Sequence, residues 1–435
     1  MKIFRPKLFE LTKGYTKKQF VSDVVAGIIV AIIALPLSIA LAIASGVSPE
    51  RGLYTAIVAG FVIAVLGGSR VNISGPTAAF ATIVAGIVAQ HGIDGLAIAT
   101  LMAGAMLILM GVLRLGTLIK YIPETITVGF TSGIAVTIVI GQIKDFLGLT
   151  FPEGTNAVES IEKIEAIAKS IATINPWAIL TGGVALAILI VWPKVSKKIP
   201  GSLVAVLALT VLVAFTGMSV NTIGDLYTIS SSLPKFSLPS IEPSKILALI
   251  PNAFTIAILA AIESLLSCVV SDKMIDDTHN SNTELIAQGT GNICSALFGG
   301  IPATGAIART AANVKNGGRS PISGIVHALV LLFVLVVFMP YAAWIPMPVI
   351  AAVLFIVAYN MSEWRHFVAI CKRKSVFDII VLVLTFVFTV VFDLVVAIAV
   401  GLAVHYLIVL VKTLAEKKKA QKNKDRTQNE DRTEK

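Results

Sequence analysis

Two charged residues lie inside apolar stretches of this chain, and their types set the chemistry to be explained. Glu263 lies near the middle of PNAFTIAILAAIESLLSCVVSD, and Arg309 lies within GGIPATGAIARTAANVKNGGRSP. A charge at membrane depth is costly and is by default a functional-site hypothesis. Glu263, Ser264, Ser267 and Ser271 stand at i, i+1, i+4 and i+8, which places them on one helical stripe suited to lining a cavity. A carboxyl group held away from water favours its neutral form, so Glu263 is a candidate proton carrier, with Ser267 beside it. Arg309 either adds positive potential to an anion site or neutralises Glu263 in a standing ion pair, and the two roles do not exclude each other. Gln288 and Asn292, at i and i+4, read as interhelical hydrogen bonds rather than ligands.

These side chains must be positioned by two matching segments, LGGSRVNISGPTAAFATIVAG (66–86) and FGGIPATGAIARTAANVKNG (298–317). Each follows a helical run ending in Gly-Gly, continues as a short extended piece, and opens a stubby helix at Pro-Thr or Pro-x-Thr. Paired Gly/Pro-interrupted segments in the two halves of a membrane protein point to an inverted-repeat transporter with its site between them. A half-helix that begins mid-membrane leaves its first N–H groups free and carries partial positive charge there. Two such starts suit an anion without any metal or cofactor. Thr77 and Thr304, near those starts, offer hydroxyls, as does Ser74; each reads equally well as a simple N-cap.

Composition supports a lipid setting. Of 435 residues 56% are hydrophobic and 14% charged, and mean hydropathy is +0.88. Apolar runs fall at about 24–44, 52–67, 76–90, 95–113, 123–142, 176–192, 201–217, 249–271, 284–299, 304–316, 321–339, 346–361, 376–392 and 394–412. Most approach the roughly 20 residues that span a bilayer, and none has the alternation of a β-barrel. The expected fold is therefore an all-α polytopic membrane protein of fourteen transmembrane segments. They form a 7+7 inverted repeat, with half-helices at spans 3 and 10 (repeat 1 about 24–217, repeat 2 about 249–413).

An even count puts both termini on one side. Most of the 35 basic residues then fall in the cytoplasm, so both ends are expected there, in a multi-pass protein of the plasma or inner membrane. Residues 1–23 form a cytoplasmic N-terminal segment, 24–413 the transporter domain, and 414–435 a disordered mixed-charge tail. The run from Val24 is too long for a signal peptide and reads as a retained first helix. Segments 143–175 and 218–248 read as surface helix and loop. The net charge of +10 sits in the ends and loops, which argues against nucleic acid as a partner. Cys268, Cys294 and Cys371 read as small core residues.

The stretch from Ser271 to Ala328, together with ALPLSIALAIASGVSPERGLYTAIVAG and ISGPTAAFA, resembles the SulP-type anion transporters, the sulfate permease and solute-carrier-26 family. The similarity extends over roughly residues 15–412. It implies a core domain moving against a gate domain, with an anion between the third and tenth helices. On that match Thr77 and Ala78 begin the third helix, and Ala306, Ile307 and Arg309 form the tenth-helix side. Glu263 takes the eighth-helix acidic position associated with cation or proton coupling in prokaryotic members. Pro36, Leu37 and Ser38 match the first-helix segment facing the site, although many members have Gln where this chain has Leu37. Members usually carry a cytoplasmic STAS domain after the last span, and none is expected in residues 414–435.

The function expected is secondary active transport of a small anion (sulfate, bicarbonate or a dicarboxylate) by alternating access, with proton symport preferred. Sodium-coupled bicarbonate symport, anion exchange and an anion channel remain alternatives. A nucleobase transporter should offer further buried acids, and only Glu263 is apparent. An enzyme is not expected: no HExxH occurs and no Ser/His pairing is apparent. The partners implied are the anion, the lipid bilayer and a second copy of the chain in a homodimer.

Overall fold

The computed structural model describes residues 4–10, 14–117, 123–152, 154, 155, 157, 159–196, 199–240, 243–373, 375–392 and 394–433. They fall into two units, Met1–Lys120 with Ile134–Met361, and Tyr121–Gly133 with Ser362–Lys435.

The first unit holds most of the helices. In chain order these are α1 (Lys17–Ala44), α2 (Pro49–Leu66), strand β1 (Ser74–Gly75), α3 (Ala78–Val112), most of α4 (Glu124–Leu147), α5 (Ser160–Ser170), α6 (Pro176–Val195), α7 (Gly201–Thr216) and α8 (Ile223–Leu226). Next come α9 (Pro243–Ile275), α10 (Ser281–Leu297), strand β2 (Thr304–Gly305), α11 (Ile307–Lys315), α12 (Ile322–Phe338) and α13 (Met347–Met361). Helix starts follow local chemistry. Thr16, Asn175 and Asn280 each accept a backbone N–H of the first turn, and Pro49 and Pro176 take the first helical position, where no N–H is needed. Helices α3 and α10 pack against each other through glycines: a Cβ on Gly289 would lie 2.5 Å from the Gly104 carbonyl oxygen. Small residues at such crossings let backbones meet where lipid supplies no hydrophobic drive between helices.

The second unit comprises the start of α4, α14 (Trp364–Lys372), α15 (Val376–Val391) and α16 (Leu394–Thr433). Here α4 and α15 meet at Gly129 and Gly133, whose Cβ positions would touch Thr385 and Thr389. Glu124 binds Arg373 at 3.1 Å and His366 at 2.7 Å.

Each of the fourteen apolar runs overlaps a helix. Nine helices among the described residues are long and apolar enough to cross a membrane. Large apolar side chains such as Phe215, Leu207 and Phe333 are exposed, as lipid-facing residues are.

Runs 76–90 and 95–113 form two helical pieces within α3, separated at Gly92, where φ is 68° and ψ −172°. The structure differs from expectation in two places. The second stubby helix starts at Ile307 rather than 304. Residues 304–305 are instead drawn into a strand pair, so Arg309 is the third residue of the helix. Helix α16 runs on to Thr433 where a disordered tail was expected. That stretch is rich in Lys, Gln, Glu and Ala and has neither Gly nor Pro, so propensity sustains the helix. The surface helix expected in 143–175 is α5, which carries a capping box from Glu159 and Glu162.

Candidate functional site

The two Gly/Pro segments meet. Strands β1 and β2 pair antiparallel, with Ser74 opposite Gly305 and Gly75 opposite Thr304, and the Ala306 N–H donates to the Ile73 carbonyl at 2.8 Å. Two residues after β1 the chain enters α3 with Thr77 as N-cap; one residue after β2 it enters α11 with Ala306 as N-cap. Neither residue caps its helix with a side chain. The first-turn N–H groups of both helices are therefore left to other partners.

Arg309 is 4% exposed. Its Nη2 donates to the Pro76 carbonyl, on the approach to α3, while Nη1 is buried and has no hydrogen-bond partner. Gly75 makes this placement feasible, because a Cβ there would lie 2.6 Å from Arg309 Nη1. Glu263 is half-buried and accepts from Thr77 Oγ1 at 2.9 Å. Among the described residues no ion pair within 4.0 Å joins Glu263 to Arg309. The Thr77 hydroxyl thus donates to Glu263 rather than pointing free, and a tight Glu263–Arg309 pair is not formed.

The remaining expected residues divide. Ser38 is buried in α1, and its hydroxyl has no partner. Ala78 and Ala306 are buried at the two helix starts, and Ile307 is 40% exposed. Thr304 does not start a helix. Its hydroxyl pairs with Ser264 Oγ at 2.7 Å, and the Gly305 N–H donates to the same Ser264 oxygen at 2.9 Å, pinning β2 to α9. Ser267 donates to Asn72 Oδ1 at 2.8 Å and lies 3.1 Å from Thr310 Oγ1, and Ser271 bonds the Cys268 carbonyl. The polar stripe of α9 is therefore spent largely on holding the crossing together.

Several residues were missed from the sequence. Glu284 is fully buried and accepts from the Gly68 N–H (2.9 Å), the Ser69 N–H (3.3 Å), Asn72 Nδ2 (2.8 Å) and Gln288 Nε2 (3.0 Å). Thr310 takes the Ile73 N–H at 3.0 Å and reaches Asn72 Oδ1 at 3.0 Å. Asn292 holds the Ala303 peptide by both its N–H and C=O at 2.9 Å each, and Gln288 donates to Ser74, so both bond the Gly/Pro segments rather than a neighbouring helix as expected. A signal for Glu284 was present: with Gln288 and Asn292 it forms an i, i+4, i+8 stripe. One absence is corrected. His279 lies 2.6 Å from Asp272 and 2.9 Å from Ser281, a Ser/His pairing that ties the end of α9 to the start of α10.

The fold and this crossing describe a polytopic membrane protein in which a short strand pair joins the segments that lead into two helices. Residues 20–385 match the model of the sulfate permease family, and the chain belongs to that family, whose members are transporters and not enzymes. It is 46% identical over 383 residues to YvdB of Bacillus subtilis (strain 168), whose name assigns it to sulfate transport, covering 86% of this chain and 70% of that one. It is 35% identical over 355 residues to the bicarbonate transporter BicA of Picosynechococcus, covering 79% of this chain and 62% of the relative. Among solved structures, the transmembrane domain of a cyanobacterial BicA superposes with a TM-score of 0.80 at 31% identity, covering 88% of this chain and 98% of that one. SLC26A9 shares the fold at a TM-score of 0.86 and 21% identity, covering 93% of this chain and 68% of its own.

Proposed function

We propose that the chain is a secondary active transporter of a small anion, with sulfate and bicarbonate as the leading substrates and a dicarboxylate third. The observation that carries this is the β1–β2 crossing. It brings two helix starts without side-chain caps together with a buried guanidinium whose Nη1 is free. Each helix start contributes about half a positive charge, and a fixed arginine adds a full one, so the crossing favours an anion stripped of water. Relatives named for sulfate and bicarbonate transport support the same reading.

Coupling is proposed to run through Glu263. Ionised, it holds the Thr77 hydroxyl at the start of α3 and puts a negative charge beside the anion. Protonated, it gives up that charge, so proton and anion enter together. The fourteen apolar helical runs support a 7+7 arrangement with half-helices at the crossing, core and gate domains moving by alternating access, and both termini in the cytoplasm. A homodimer in the plasma membrane completes the proposal.

Uptake of labelled sulfate, bicarbonate and succinate into proteoliposomes, with imposed proton or sodium gradients, tests this. Accumulation driven by an inward proton gradient is expected, and Glu263→Gln should flatten its pH dependence while sparing anion binding. Unchanged pH dependence in that variant would remove Glu263 from coupling. Flux that follows the anion gradient alone would make the protein a channel.

A further inference from the structure

His327 on α12 is a polar residue that no expectation placed at the site. It is 1% exposed, and its Nε2 has no hydrogen-bond partner. Its position relative to the crossing follows from a contact one turn away. Asn313 of α11 donates to Ser323 of α12 at 2.8 Å, and a Cβ on Gly324 would approach Ile73, at the entry to β1. One turn back from Asn313 along α11 stands Arg309; one turn on from Ser323 along α12 stands His327. Residues four apart share a helix face, so Arg309 and His327 each lie one turn from the Asn313–Ser323 contact, on the faces that make it. The turns of α1 and α2 packed on α12 nearby bring Gly27 and Ala64, which carry no charge.

Two buried nitrogens on adjoining helices, Arg309 Nη1 and His327 Nε2, are thus both without partners. Buried polar groups are nearly always satisfied, and an unmade bond costs more than a made one returns. Moreover, the two nitrogens come from different helices and differ in direction. A halide presents a single acceptor centre, whereas a polyatomic oxyanion offers separate oxygens to donors set apart from each other.

We propose that His327 is a specificity-determining residue of the anion site: with its proton on Nε2, it donates to one oxygen of a polyatomic oxyanion while Arg309 Nη1 donates to another. The site thereby prefers bicarbonate or sulfate to chloride. This rests on the anion site proposed above.

The test compares wild type, His327→Phe, His327→Gln and Arg309→Ala in proteoliposomes. It measures the apparent KM for labelled bicarbonate and sulfate, and inhibition of their uptake by chloride. His327→Phe should raise the oxyanion KM about tenfold, the effect of one charge-assisted hydrogen bond, and leave chloride inhibition within about twofold. His327→Gln, which keeps an N–H donor, should return the KM to within about threefold of wild type. If His327→Phe does not purify as a monodisperse protein, His327→Leu takes its place in the comparison. An unchanged KM, an equal loss for oxyanion and chloride, or no recovery in His327→Gln would overturn the inference. Arg309→Ala separates the two levels. If it leaves every anion unaffected, the anion site itself is wrong; if it weakens all of them while His327→Phe changes none, only the role of His327 falls.

Discussion

Around Asn72 and Glu284 the polar side chains are bonded to one another: Glu284 accepts from four donors, and Asn72 joins Glu284, Ser267 and Thr310. Arg309 precedes Thr310 in the sequence, yet it, His327 and Ser38 each bury an atom that bonds nothing. Both regions put charge into an apolar protein. In the first the carboxylate is met on both oxygens, which makes it an anchor for the loop ahead of β1. In the second the unmet Arg309 Nη1 is a charged donor, which makes the region a place for an anion to bind, whereas the one unmet atom beside Glu284 is an acceptor, Gln288 Oε1. Burial alone does not tell an anchor from a site; whether the hydrogen bonds are complete does.

Removing the anchor has the largest effect. Glu284→Leu strands four donors and should destabilise the protein by about 3–5 kcal/mol, read as a large fall in the melting temperature in detergent together with lost uptake. Wild-type stability in that variant would show the network to be dispensable. Next, Arg309→Ala deletes a charge whose second nitrogen is unpaired. Apparent anion affinity should fall by about 1.5–3 kcal/mol, roughly tenfold to more than a hundredfold, with a smaller loss of stability than Glu284→Leu causes. Gly75→Ala leaves Arg309 in the chain but pushes a methyl group onto its Nη1. About a tenfold loss of affinity is expected, and wild-type affinity would mean that the guanidinium position does not matter.

The smallest effect lies outside the spans. Tyr15 donates to Asp23 at 2.7 Å, and Asp23 also receives Ser320 Oγ and the Arg319 N–H at 2.6 Å each, clasping the start of α1 to the loop after α11. Burial, followed by hydrogen bonding and the charge of Asp23, moves the Tyr15 hydroxyl up to about 12. Because the folded value is raised above the usual 10, the contribution of this clasp is complete below pH 10 and is lost as pH climbs toward 12. Tyr15→Phe should cost about 1 kcal/mol at neutral pH and abolish that alkaline sensitivity, as followed by thermal unfolding across pH.

Much of the molecule was legible from the sequence because its signals are local. Gly-Gly, Pro-Thr and Pro-Ala-Thr are turn chemistry, and they marked both segments that cross. Hydropathy located the helical runs because a bilayer demands long apolar stretches. The serine stripe on α9 shows where that reading stops. Spacing placed Ser264 and Ser267 on one face, but it could not say what stood opposite, and both turned out to hold β2, Asn72 and Thr310. Thr304 was read as a helix start because a Pro-x-Thr start looks the same from within the chain, whether or not a second strand is there to pair with it.

What the sequence by itself determined is therefore the membrane setting, the paired breaks and the presence of Glu263 and Arg309 within apolar runs, because each depends on residue type and near spacing. Only the tertiary structure decided which groups are spent and which are free. Thr77 meets Glu263 across 186 positions, Arg309 reaches Pro76 across 233, and Gly68 finds Glu284 across 216. Contacts at such separations are set by how the helices cross, and no local pattern encodes whether a buried nitrogen will find an oxygen there.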